Sequence, residues 1–273
     1  MKIDSFLNSL NTNAMRSTRS IVQMSSVSAL SGIDIGIPLN IIQNVFTKLH
    51  YGYDITSLKI VLMQFALGYY TYGKDRYLDA LEWENKKYIT KKDELFEYLI
   101  ENKEKYKILF DTLFFAIVIF LTKEEGVENI LPFLGVLLST EYYKDIKKIG
   151  PIVKPLYISI LWTLSVVVLP CLLNDNSYEI LSYPLDYLPC TLTMFSSSVI
   201  LDIRDIEEDK ENNVDTIPVK YGLEKTKMIV IFLLGLSNYI FGINNNYLTN
   251  IGENVLFEML NLGLIIYVFM KKE

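Results

Sequence analysis

Charge is distributed along this chain in blocks, and the blocks alternate in size. Between them run long apolar stretches, near 20–46, 55–80, 107–121, 128–142, 152–173, 185–203, 226–242 and 254–270. A bilayer core takes about 20 helical residues, so each stretch is a candidate span, although the third and fourth are short. Only helices or closed barrels satisfy the backbone in lipid, and runs of this length without strict alternation favour helices. Lys and Arg test the span list. In chain order the segments between spans carry three (Lys2, Arg16, Arg19), one (Lys48), seven (six in 82–106 and Lys107), one (Lys123), four (Lys144, Lys147, Lys148, Lys154), none, five (Arg204, Lys210, Lys220, Lys225, Lys227), none and two. High and low alternate, as expected for eight spans with both termini on the cytoplasmic or equivalent side. The expected fold is all-α, a multi-pass transmembrane bundle forming a single domain over 1–273.

A net charge of −6 spread over the loops, without a basic stripe, gives no reason to expect nucleic acid as a partner. The lipid bilayer is the partner that composition implies. The N-terminus lacks the signature of a cleaved signal peptide, so the first span is expected to direct insertion; which membrane it enters is open. Cys171 and Cys190 lie in or beside spans, form no metal-ligand spacing and read as small packing residues.

Two polar loops, 82–106 and 203–225, lie on the inside face, and each follows a span that ends in aspartates. Lys91–Leu99, in the first, has the pattern of an amphipathic interfacial helix, with a solvated connector as the alternative. At the second, Asp202, Asp205 and Asp209 stand at i, i+3 and i+7, which on a continuous helix confines them to an arc of about 60°. Glu207 and Glu208 fall outside it. At the first, Asp75 and Asp79 stand at i, i+4 and also share a face. Like charges on one stripe repel, so the pattern makes physical sense with a multivalent cation against it. Mg²⁺ typically takes one or two carboxylates and completes its octahedron with water and phosphate oxygens. A diphosphate bridged by Mg²⁺ to two aspartate stripes is the expected ligand, with basic residues around the mouth for the remaining charge. The competing reading is that the acids merely balance the lysines of the inside loops.

The run Asp202-Ile203-Arg204-Asp205-Ile206-Glu207-Glu208-Asp209, followed by Asn213, Asp215, Thr216, Ile217, Pro218, Val219 and Gly222, resembles the second motif of the UbiA superfamily of intramembrane prenyltransferases. That motif reads D-x-x-D-x-x-x-D, then threonine, Leu or Ile, proline, valine and a glycine. The resemblance implies eight to nine helices around a central cavity, Mg²⁺ as cofactor, and transfer of a prenyl group from a prenyl diphosphate donor to a lipophilic, commonly aromatic, acceptor. In the first family motif, N-D-x-x-D-x-x-x-D, the last two aspartates match Asp75 and Asp79, while Thr71 and Tyr72 stand in place of Asn and Asp. By the resemblance Asp75, Asp79, Asp202 and Asp205 are catalytic, and with Asp209 they hold the metal. Arg204, Lys147, Lys148, Tyr72 and Tyr143 are expected to contact substrate, the tyrosines through ring faces that steady an allylic cation. Packing or interfacial anchoring is the plainer role for tyrosine in a chain with 19 of them.

Four other features of the sequence bear on the site and its packing. Asp34 falls inside the first span, where an ionisable residue faces a cavity or partner, or satisfies backbone donors freed by Gly36 and Pro38. Asp215 either caps a turn or extends the metal site. His50 is the only histidine, which removes His-rich metal sites and Ser-His or Cys-His mechanisms. Ser196, Ser197 and Ser198 are expected to let helices approach closely. Two other functions stay open: a catalytically silent relative that binds isoprenoid lipids, favoured by Thr71 and Tyr72, and an ion-coupled transporter using the carboxylates as ligands.

Overall fold

The computed structural model describes residues 42–43, 45–46, 57–85, 94–125, 131–146, 149–175, 182–211, 213–244 and 251–270. Among them the regular structure is helical throughout, with no strand. In chain order the helices are α1 (Leu58–Asn85), α2 (Glu94–Glu101), α3 (Lys103–Glu125), α4 (Leu131–Ile146), α5 (Val153–Thr163) continued through a π-turn (Leu164–Val168) into α6 (Leu169–Asp175), α7 (Pro184–Arg204), α8 (Ile206–Glu211), α9 (Ile217–Tyr221), α10 (Leu223–Asn244) and α11 (Ile251–Met270). Each apolar run from 55 onward coincides with a helix. Of the run at 20–46, only the helical residues Ile42, Gln43, Val45 and Phe46 are described; Asp34 and His50 lie outside. Two continuous helical segments, Val153–Asn174 and Leu223–Asn244, are long and apolar enough to cross a membrane.

The chain divides into two units, 1–38 with 62–120, and 39–61 with 121–273. In the first, the aromatic face of α1 packs on α3. Phe110 is the centre of this contact, 1% exposed, with Tyr69, Tyr77 and Tyr106 rings at 6.0, 5.8 and 6.2 Å. The short α2 buries Leu99 beside Ala80, under Tyr69, Phe96, Ile100 and Tyr106. The segment expected to lie on a lipid surface or to serve as a solvated connector thus spends part of its apolar face on α1. Burying a leucine side chain in this way is worth about 2 kcal/mol. Lys103 and Glu84 pair at 3.2 Å on the outside.

In the second unit α7 is the central element. Val199 and Ile200 pack with Ile217, Val230, Leu234 and Val268 from α9, α10 and α11. Above this apolar layer runs a buried polar seam. Thr193 Oγ1 lies 3.0 Å from Ser237 Oγ and donates to Asn261 Oδ1 at 3.1 Å, and Asn261 Nδ2 donates to Asn238 Oδ1 at 2.6 Å. Side-chain hydrogen bonds of this kind register apolar helices that could otherwise slide.

Both interior prolines of this unit are accommodated locally. Pro189 has no N–H for the Leu185 carbonyl, and Asn244 Nδ2 takes that place at 2.5 Å. Pro170 cannot donate to the carbonyl four residues back, and the turn before it is widened, with the Leu169 N–H reaching the Leu164 carbonyl. Cys171 and Cys190 are buried free thiols, in keeping with packing roles, and Ser196 and Ser198 are buried on α7.

Candidate functional site

The acidic segment sits where α7 stops. The helix reaches Arg204, Asp205 adopts φ −101° and ψ 14°, and α8 resumes at Ile206. That is the sparsely populated bridge region of backbone space. The i→i−4 bonds on both sides survive, Asp205 N–H to Leu201 at 3.2 Å and Asp209 N–H to Asp205 at 2.8 Å. The expected single helical face is therefore a face with a break at its middle residue. The spacing argument required an uninterrupted helix, and a local break of this kind leaves no mark on residue spacing.

The chain then turns back. Asn213 takes φ 54°, a conformation Asn tolerates better than most residues, and the Val214 and Asn213 N–H groups close on the Asp209 and Lys210 carbonyls at 2.8 and 3.2 Å. This helix stop returns Thr216, Ile217 and Pro218 to the interior, where all three are buried. Pro218 fits the first turn of α9, whose donors lack intrahelical partners, and Gly222, at φ 80°, ends that helix. The Thr-Ile-Pro and glycine positions of the sequence motif thus have structural work of their own. They fold the end of the acidic segment against the α7 core.

Asp202 is 1% exposed. Its Oδ1 accepts from Lys154 Nζ of α5 at 2.5 Å, and its Oδ2 is buried without a hydrogen-bond partner. Asp205 and Asp209 are close enough to repel its charge, while Lys154 offsets it. Asp205 is partly exposed and is held by the neighbouring Arg204 through two bonds, Nε to Oδ1 at 2.7 Å and the terminal guanidinium nitrogen to Oδ2 at 2.9 Å. Arg204, expected to meet substrate, is thus engaged within the motif. Asp215 is exposed, with Lys220 Nζ at 4.0 Å. Among the described residues, no three His, Cys, Asp or Glu side chains converge as a metal-holding group.

Asp75 and Asp79 belong to the other unit, half-buried on the uninterrupted α1, so their one-turn spacing does hold them on one helix face. Tyr72, on the same helix, is half-buried as well. Thr71, standing where the family motif has Asn, donates its hydroxyl to the Leu67 carbonyl of its own helix. Tyr143, on α4, stacks on Tyr157 of α5 with centroids 6.4 Å apart and planes 17° apart. Lys147 and Lys148 lie outside the described residues.

Lys154 is the residue that sequence reasoning passed over, counting it only among the inside-loop charges. The signal was available. It is the one charged residue between Val153 and Asn174, one position inside an apolar helix, and an ionisable group so placed has a partner or a task.

No protein-family profile, curated protein or solved structure matches the chain.

Proposed function

We propose that this chain is a Mg²⁺-dependent prenyltransferase of the membrane, moving a prenyl group from an isoprenoid diphosphate to a lipophilic, aromatic acceptor. In this reading the helices form a multi-pass bundle of eight to nine spans, with the acidic mouth on the cytoplasmic or equivalent side. One observation carries most weight: a carboxylate of the acidic motif, Asp202, is buried at the end of an apolar helix with one oxygen on a lysine and the other without a hydrogen bond. A soluble surface motif would keep its acids hydrated. The exposed large apolar side chains of α10 and α11, among them Phe232, Met259, Phe269 and Met270, are what helices facing lipid would present.

The donor set suits the proposed ion. Hard carboxylate oxygens are magnesium ligands, and Mg²⁺ needs only one or two of them beside water and phosphate oxygens. The unpartnered Asp202 Oδ2 is such an oxygen, and Asp205 and Asp209 follow on the same segment. Bound there, the ion would neutralise the diphosphate and make it a better leaving group. The chain's own contribution is placement. Asp202 is itself almost wholly removed from water, which strengthens the charge interactions made there. Arg204, once released from Asp205, is the nearest forked donor for a phosphate group. Asp75 and Asp79 are, within their own unit, a second acidic pair on one helix face, and Tyr72 and Tyr143 are the rings that the motif resemblance assigns to a developing allylic cation.

The test is binding of geranylgeranyl diphosphate to the detergent-purified chain with and without Mg²⁺, wild type beside Asp202→Ala. Metal-dependent binding that the variant loses is expected, together with loss of transfer in reconstituted membranes for Asp202→Ala and Asp205→Ala. Absence of binding to either protein would remove the reading. A silent, isoprenoid-binding relative is the second reading, favoured by Thr71, whose hydroxyl is turned onto its own helix. Metal-dependent binding without turnover would select it.

A further inference from the structure

Two interhelical bonds fix which face of α7 meets α5. Lys154 Nζ donates to Asp202 Oδ1 at 2.5 Å, and Thr163 Oγ1 lies 3.1 Å from Thr191 Oγ1. Thr191, Ser198 and Asp202 fall within an arc of about 40° on α7, so Ser198 stands on that same face, between the two contacts and one turn from Asp202. Ser198 is 4% exposed, and its Oγ is buried without a hydrogen-bond partner. The buried serines of α5 and of the π-turn behave differently. Ser159 and Ser165 each donate at 2.8 Å to a carbonyl of their own helix, those of Leu156 and Leu161. Such bonding to the preceding turn is the ordinary resort of a serine hydroxyl inside a helix, and Ser198 does not take it.

Ser198 Oγ and Asp202 Oδ2 are thus two buried oxygens, one helical turn apart on one face, each without a hydrogen bond. Side chains at this spacing are rooted about 5–6 Å apart, which leaves a gap that one water spans. From this we infer an internal hydration site between α5 and α7, in which a single water donates to Asp202 Oδ2 and bonds Ser198 Oγ. Charge balance makes the occupant neutral. Lys154 already offsets the carboxylate through Oδ1, and a small cation beside it would leave a net positive charge out of water. Water is the neutral group that donates to a carboxylate and exchanges either role with a hydroxyl, and two such partners suffice to hold it. The site asks only that Oδ2 carry no ion, and it stands whether or not the chain moves a prenyl group.

The test is transfer of magnetisation from water protons to serine side chains, read by solid-state NMR on the full chain, labelled with carbon-13 serine and reconstituted in phosphatidylcholine bilayers. Ser159, Ser165 and Ser198 are each assigned by the signal that their alanine variant lacks. Ser198 should receive at least about threefold more magnetisation than Ser159 and Ser165, which are as deeply buried but spend their hydroxyls on their own helix. Asp202→Leu should bring Ser198 down to the level of the other two, while their unshifted signals report that the fold is kept. A Ser198 signal as weak as those references in the wild-type chain overturns the hydration site. A strong signal that survives Asp202→Leu overturns it too, because the water would then not be shared with the carboxylate. Should Asp202→Leu fail to fold, the wild-type comparison of the three serines decides alone.

Discussion

Asp202 and Asp205 are three residues apart, each bonded to a cation at nearly the same distance, 2.5 Å to Lys154 and 2.7 Å to Arg204. Their energetics are opposite. The Arg204–Asp205 pair is formed by neighbours in sequence, both more than a third exposed, and water can replace either partner. The Lys154–Asp202 pair joins two helices 48 residues apart in the chain, and its carboxylate is almost wholly out of water. Contact distance is thus a poor guide to what an ion pair does. The surroundings decide whether it is decoration or a constraint.

That contrast can be broken most decisively at Lys154. Lys154→Met leaves a buried carboxylate with no counter-charge and should cost about 3–5 kcal/mol, read as a lowered thermal midpoint in detergent. Lys154→Met combined with Asp202→Leu should recover most of the loss, since an apolar pair of similar volume removes the stranded charge. If the single variant melts like wild type, the two pairs are energetically alike and the comparison collapses. Thr193→Val sharpens it from another side, because that residue is equally buried but uncharged. Losing its bonds to Ser237 and Asn261 should cost about 1 kcal/mol, separating the effect of burial from that of charge. At the small end, Arg204→Gln should shift stability by less than about 1 kcal/mol, and 1 M salt should erase the difference.

Much of the fold was legible because length and hydropathy act locally. The runs at 152–173, 185–203 and 226–242 match α5 with α6, α7 and α10 closely, and the one-turn spacing of Asp75 and Asp79 puts them on one face because α1 is unbroken. The break at Asp205 was not legible, since it accompanies the burial of residues 216–218, which pack from further along the chain. Hydropathy also failed to separate two kinds of apolar helix. Val153–Asn174 and Leu223–Asn244 are both long and apolar enough to cross a membrane, yet most of the first is buried inside the molecule and most of the second is not. Apolar content says that a helix leaves water, while neighbours decide whether it meets protein or something else. Lys154 was missed for the same reason: its partner is distant in sequence.

The widened turn at Leu164–Val168 has a bearing on how this chain tolerates change in length. Such a turn holds one residue more than a regular helix would, so it behaves as an absorbed insertion. Deleting one residue there would return the turn to regular α-helical winding, keep the residues beyond it near their present register, and set the Pro170 ring against the carbonyl four residues back. Lys154, on the near side, would keep its place against Asp202, and Cys171 and Leu172, on the far side, would stay facing the interior. The widened turn is thus a place where this helix can lose one residue of length while both halves keep their alignment, the cost falling on the proline.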